Sequence, residues 1–209
     1  MQNDSPVFIV GAPCSGTTML QYRLRNLPSI SLPTGESHFF VPLYQNRDKF
    51  GDLSRIENIR TVLQAMYKQS REFLETDLHG MQFDLETLAS ELHASGHHTL
   101  PAVISGLFEK NARGEGKTRW GDKTPYYVMH MTKLLEWFPK AQFVHLIRDG
   151  RDVALSLFGR RNDFYVYNAY FAAEYWESYI QKGREQGRRL PPDQYLELRY
   201  EDLLAAPEN

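Results

Sequence analysis

Cysteine is nearly absent from this chain: Cys14 is the only one in 209 residues. A lone thiol excludes an intrachain disulfide and any metal cluster built on several cysteines. Long apolar runs are missing too, and none approaches the roughly 18–20 residues of a membrane span. The opening MQNDSPVFIVG has no basic start and no cleavage site. No signal peptide is therefore expected, and a cytoplasmic location is the default. Nor is there an excess of positive charge: Lys and Arg number 24 against 26 Asp and Glu, a net charge of −2. Nothing in that balance recruits nucleic acid, so any anion site must be assembled locally. Internal repeats and low-complexity tracts are also lacking. What remains is ordinary globular composition, 42% hydrophobic and 24% charged, at a length that suits one domain over residues 1–209.

The pattern along the chain is strand, loop, helix, repeated. PVFIV is a short continuous apolar run, as expected of a parallel strand covered on both faces. GAPCSG follows as a loop, and TTMLQYRLRNL has helical spacing up to Pro28. SISLPTGES supplies a second, shorter strand and a turn. Residues from about 45 to 115 are polar and helix-rich, with amphipathic patterns in RIENIRTVLQAMYKQSREFLE and FDLETLASELHA, the second stopped by Gly96. This stretch is expected to be a helical insertion or cap. Thr124 and Pro125 read as an N-cap and first-turn proline opening PYYVMHMTKLLEWF. AQFVHLI is then a second buried strand, RDGRDVALSLF opens a helix, and a long helix spans roughly Tyr167 to Gln186. QYLELRYEDLL supplies a last strand and turn. The expected fold is α/β, an open parallel sheet flanked by helices. The chain stops in the turn AAPEN, so a truncated C-terminal end is expected.

Two stretches carry chemistry. In VGAPCSGTTML, Gly11 ends a strand and Gly16 allows a tight path that turns successive N–H groups toward an anion. The helix opening at Ser15, Thr17 and Thr18 adds its positive end and hydroxyl donors. The same glycines also suit a strand-to-helix turn that needs them only for packing. An ATP-binding loop requires lysine after the second glycine, and Thr17 stands there instead, which disfavours a kinase. In FVHLIRDGRDVALS, Arg148 lies at the carboxyl end of a strand, where ligands bind in open α/β sheets. Ser156 lies two helical turns beyond Asp149. A guanidinium with a hydroxyl makes a phosphate clamp.

Together GAPCSGTTML, FVHLIRDGRDVALSL and LELRYEDLL resemble the sulfotransferases that use 3′-phosphoadenosine 5′-phosphosulfate (PAPS), and WGDKTP and FPKAQFVHLIRD are similar to the same family. The resemblance runs from about Val7 to Pro207, in outline only through the middle. It implies a P-loop-like fold. It assigns the loop Gly11, Ala12, Pro13, Cys14, Ser15, Gly16, Thr17 and Thr18 to the 5′-phosphosulfate, and Arg148 with Ser156 to the 3′-phosphate. PAPS is the implied co-substrate and adenosine 3′,5′-bisphosphate (PAP) the product. No metal is expected, because a sulfuryl group carries less charge than a phosphoryl group.

Sulfuryl transfer needs a base for the incoming nucleophile and donors on the leaving oxygen. Tyrosine- and carbohydrate-directed members of the family use a glutamate after the second strand, which implies Glu36 as the base, with His38 as its rival. The resemblance also places Lys123 near the sulfuryl group. Cys14 departs from the family, which carries Arg or Lys at that position. Losing such a donor costs about 100- to 1,000-fold in rate. Three readings stay open: another cation such as Lys123 compensates, the chain binds PAPS or PAP without efficient transfer, or the fold is shared and the chemistry is not. A helix N-terminus also suits a redox-sensitive thiol. The implied acceptor is a small molecule, a carbohydrate or a lipid-like compound, lined by Phe39, Phe40, Phe164, Tyr165 or Tyr167. Tyr175, Trp176 and Tyr179 fall at the helical spacing of core packing. His97 and His98 read as surface loop.

Overall fold

A computed structural model describes residues 5–69, 81, 83–160, 164 and 166–205. The chain divides into two compact units, Met1–Pro6 with Tyr22–Lys123, and Val7–Gln21 with Thr124–Asn209.

The second unit holds three parallel strands, β1 (Val7–Gly11), β4 (Gln142–Ile147) and β5 (Tyr195–Arg199), with β4 in the middle. Every residue of β1 is buried, which is why VFIV alternates no polar residue into its run. Phe8 stacks on Phe143 at 5.4 Å and meets Tyr127 edge-on at 6.5 Å. In β5 the edge position shows: Leu196 is exposed. The chain leaves β1 through the loop to helix α1 (Thr17–Arg25) and leaves β4 toward a later helix, α7 (Gly150–Gly159). The Asp149 side chain caps α7 by accepting the Arg151 N–H at 2.8 Å. The long helix α8 runs Ala169–Gly187, close to the expected span, and opens on an Asn168 cap. LELRYEDLL becomes β5 and then a short helix α9 (Tyr200–Ala205) rather than a turn.

PYYVMHMTKLLEWF does not form one helix. It opens as a 3-10 turn, Pro125–His130, and only then becomes helix α6 (Met131–Trp137). The Thr124 side chain makes no cap hydrogen bond. Fully buried Tyr127 and Val128 draw this turn into the core.

The first unit holds a short parallel pair, β2 (Ile30–Ser31) and β3 (Arg119–Lys123), with Ile30 opposite Arg119. The helices expected between residues 45 and 115 are there, after a short α2 (Phe40–Gln45): α3 (Ile56–Gln69), α4 (Leu85–Ala94) and α5 (Leu100–Gly114). Ile59, Val62, Leu63 and Met66 bury one stripe of α3 at helical spacing. Asp84 caps α4 through the Thr87 N–H at 2.8 Å, and Thr99 caps α5. Phe39, Phe40, Phe108 and Trp120 stack at the centre of the unit, with Phe108 and Trp120 4.6 Å apart. No helix among the described residues is long and apolar enough to cross a membrane.

Candidate functional site

In the second unit, the loop after β1 bends through three residues at positive φ: Gly11, Cys14 at 65° and Gly16 at 89°. Both glycines are required by close approach. A Cβ on Gly11 would run into the Leu146 carbonyl of the adjacent strand, and one on Gly16 would overlap the Tyr200 ring. Ala12 is buried, and its carbonyl accepts the Ser15 N–H at 3.2 Å, closing the turn. Pro13 is half-buried, Thr17 is buried at the start of α1 and Thr18 is exposed beside it. Ser15 is fully buried, and its hydroxyl has no hydrogen-bond partner. An orphaned buried hydroxyl in a loop of this shape fits an anion that supplies the missing partner.

Arg148 converges on this loop. Its Nη1–H donates to the Cys14 carbonyl at 3.2 Å, and its guanidinium lies 4.7 Å from the centre of the Tyr200 ring. Its Nε is buried without a partner. Asp152, one turn along, holds Nη2 at 3.5 Å. Ser156 is a further four residues along α7 and half-buried, so Arg148, Asp152 and Ser156 follow one helical stripe. Tyr200 thus touches both the loop and Arg148. In the sequence it stands inside LELRYEDLL, with nothing local to mark it as part of the site. Its signal, an aromatic just past a strand end, acquires meaning only when β5 is paired beside β4.

Cys14 turns its side chain toward Val153, Leu157, Val166 and Ala172, an apolar cluster that Phe164, Tyr175 and Trp176 also pack against. The residue therefore contributes a small apolar surface, and its backbone carbonyl serves Arg148.

In the first unit, Glu36, His38 and Lys123 come together. The Lys123 ammonium is 4% exposed and donates to Glu36 Oε1 at 2.7 Å. His38 Nε2 lies 3.0 Å from Glu36 Oε2, with His38 held at a φ of 51°. Burial pushes the Glu36 carboxyl up, but the His38 hydrogen bond and the Lys123 charge outweigh it, so its pKa falls below the ordinary range. Lys123 comes from the end of β3, a strand that RWGDK does not announce because the charged neighbours Asp122 and Lys123, which point to opposite faces, are both buried.

Of the expected acceptor-lining residues, Phe40 is core, stacked on Phe39 at 4.9 Å, and does not face open space. Phe39 does line a cavity of about 320 Å³ together with Leu43, Phe50 and Ala65, rimmed by Lys49 and Thr61. Phe164 is half-buried against Tyr175, and Tyr167 is 66% exposed. Tyr165 lies outside the described residues. Tyr179 is buried and Tyr175 and Trp176 are half-buried, as packing residues. His97 and His98 lie in a loop after α4.

The chain is 24% identical over 205 residues to a protein-tyrosine sulfotransferase of Drosophila melanogaster, covering 97% of this chain and 35% of that protein. It is 26% identical over 211 residues to protein-tyrosine sulfotransferase A of Caenorhabditis elegans, covering 97% of this chain and 46% of that one. The chain thus spans less than half the length of these curated relatives. Among solved structures, the sulfotransferase domain from the curacin biosynthetic pathway superposes with a TM-score of 0.60 at 21% identity, covering 100% of this chain and 71% of that one. The sulfotransferase domain of the Synechococcus PCC 7002 olefin synthase gives 0.61 at 22% identity, covering 100% and 70%. These likenesses show the fold, the P-loop-like α/β architecture of sulfotransferases. The family model described as "Sulfotransferase family" matches residues 6–209, so the chain belongs to the sulfotransferase family.

Proposed function

We propose that this chain transfers a sulfuryl group from PAPS to a hydroxyl or amine of a small-molecule, carbohydrate or lipid-like acceptor. One observation carries the reading: Arg148, at the end of β4, converges on a glycine loop whose buried Ser15 hydroxyl has no partner. That pair of unmet donors suits an anionic nucleotide, whereas Thr17 in place of lysine does not suit ATP.

When bound, PAPS supplies a sulfuryl group attached to a phosphate leaving group. The loop from Gly11 to Thr18 takes the 5′ end through its N–H groups, the Ser15 and Thr17 hydroxyls and the positive end of α1. Arg148 and Ser156 take the 3′-phosphate, with Tyr200 holding the guanidinium flat. Glu36 accepts the proton of the acceptor. Its low pKa keeps it ionised at neutral pH but makes it a weak base while Lys123 is bound to it. Lys123 therefore holds the carboxylate in place. His38 keeps the second carboxylate oxygen oriented. The cavity beside Phe39 takes the apolar part of the acceptor.

Calorimetric titration with PAP, with ATP as the control, tests the donor site. The expected result is saturable binding of PAP and none of ATP, with PAP binding weakened about 10- to 100-fold in Arg148→Ala. Absence of PAP binding in a folded sample overturns the reading. Cys14→Arg tests whether the loop lacks a cation: turnover is expected to stay within a few fold, because the side chain at position 14 faces the apolar cluster around Val153, whereas a rise of about 100- to 1,000-fold shows that a cation there was missing.

A further inference from the structure

The peptide group that joins Arg148 to Asp149 lies between the last residue of β4 and the first of α7, where neither ladder nor helix supplies its partners. Both of its polar ends are nevertheless engaged by side chains. The Trp176 indole N–H, from α8, donates to the Arg148 carbonyl at 3.0 Å. Glu201, from the first turn of α9, accepts the Asp149 N–H on Oε1 at 2.8 Å. Two elements distant in sequence thus hold one peptide plane from opposite ends. Gly150 makes this feasible, since even a Cβ there would come within 3.0 Å of the Trp176 ring. The neighbour of Glu201, Tyr200, meanwhile lies against the guanidinium itself.

The geometry points to Trp176 and Glu201 as positioning residues that fix the peptide plane carrying Arg148, and with it the direction in which the guanidinium is presented to a 3′-phosphate. The inference rests on the donor reading above and names the residues on which its selectivity for a 3′-phosphorylated nucleotide depends. Neither side chain needs to touch the nucleotide. Each acts through Arg148, because rotation of a peptide plane swings the attached side chain as a lever several bonds long. A neutral hydrogen bond lost without replacement, as at Trp176, corresponds to about a three- to tenfold change in an equilibrium, and a bond to a charged acceptor, as at Glu201, to about 10- to 100-fold.

The experiment is a double-mutant cycle read by calorimetry with PAP and, as the ligand lacking the 3′-phosphate, adenosine 5′-phosphate. The proteins are wild type, Trp176→Phe, Glu201→Ala, Glu201→Gln and the combinations of the first two with Arg148→Ala. Trp176→Phe keeps the ring packing and removes only the donor, and Glu201→Gln keeps an acceptor oxygen. PAP binding is expected to weaken about three- to tenfold in Trp176→Phe and about 10- to 100-fold in Glu201→Ala, and to recover most of that loss in Glu201→Gln. Adenosine 5′-phosphate binding should change little. In the Arg148→Ala background neither substitution should cost anything further, because the lever has no guanidinium left to aim. Additive losses, or equal weakening toward both nucleotides, overturn the inference while leaving the donor site standing. Failure of the wild type to bind PAP overturns the donor reading and this inference with it. Should Trp176→Phe fold poorly, the Glu201 pair decides by itself.

Discussion

Lys123 and Glu36 are the pair on which single substitutions tell most. The lysine is almost wholly buried and its positive charge, with the His38 hydrogen bond, holds the carboxyl below its ordinary pKa. Lys123→Met removes one lowering influence and leaves burial acting the other way, so the Glu36 pKa rises. Activity that requires the carboxylate is lost as pH falls through that pKa. The acid limb of the kcat/KM profile is therefore expected at higher pH in Lys123→Met than in wild type, and an unmoved limb shows that Glu36 is not the base. At the donor end, Arg148→Ala removes a charged donor worth about 1.5–3 kcal/mol per hydrogen bond. PAP affinity should fall about 10- to 100-fold, by calorimetry. Gly16→Ala places a Cβ at a φ of 89° and against the Tyr200 ring. It should weaken PAP binding and lower the Tm, where an ordinary loop glycine would tolerate alanine. Gly11, Gly16, Arg148, Glu36 and Lys123 were all legible in the sequence as candidates. The direction of the Cys14 side chain, into an apolar cluster, was not, because it follows from a positive φ and from neighbours more than a hundred residues away.

Between elements, the approach of α8 to the sheet of the second unit is set by small residues. Gly183 faces His145 and Val128 so closely that a Cβ would overlap both side chains, and Gly187 faces the Tyr195 ring in the same way. Glycine inside a helix normally costs about 0.5–1 kcal/mol against alanine. At position 183 the sign reverses: Gly183→Ala is expected to destabilise by about 1–3 kcal/mol through overpacking. Urea unfolding, read as a lower midpoint at constant slope, checks it. Element by element, β1, α1, β4, α7 and α8 were legible because each is a complete periodic pattern bounded by glycine, proline or a cap. β3 was hidden because RWGDK carries charge on positions that the fold buries. The turn Pro125–His130 kept its proline signal and lost its helix, because packing of Tyr127 against Phe8 outweighed local propensity.

For the whole molecule, pH acts through a buried histidine. His145 is fully enclosed on β4, its Nδ1 2.7 Å from the Tyr195 hydroxyl and its Nε2 without a partner. Burial lowers its pKa from 6.5 to about 4, against a smaller opposing pull from Glu197. In the unfolded chain it titrates at its ordinary value, so between these limits the unfolded state binds a proton that the folded state refuses. Stability is therefore full above pH 6.5 and declines as pH falls toward 4, by about 3 kcal/mol from this group. Urea unfolding at pH 7 and pH 5 should show the decline, and His145→Gln should flatten it. The sequence by itself determined the fold class and most of the order of strands and helices, and it singled out the glycine loop and Arg148 as candidates, since these depend on periodicity and on residue types at fixed local spacing. Only the tertiary structure decided that Lys123 is bound to Glu36, that Tyr200 lies between Gly16 and Arg148, and that Trp176 and Glu201 hold the peptide beside the arginine. Those contacts join residues 28 to 184 positions apart, and no local pattern encodes a distance that strand pairing and helix packing create.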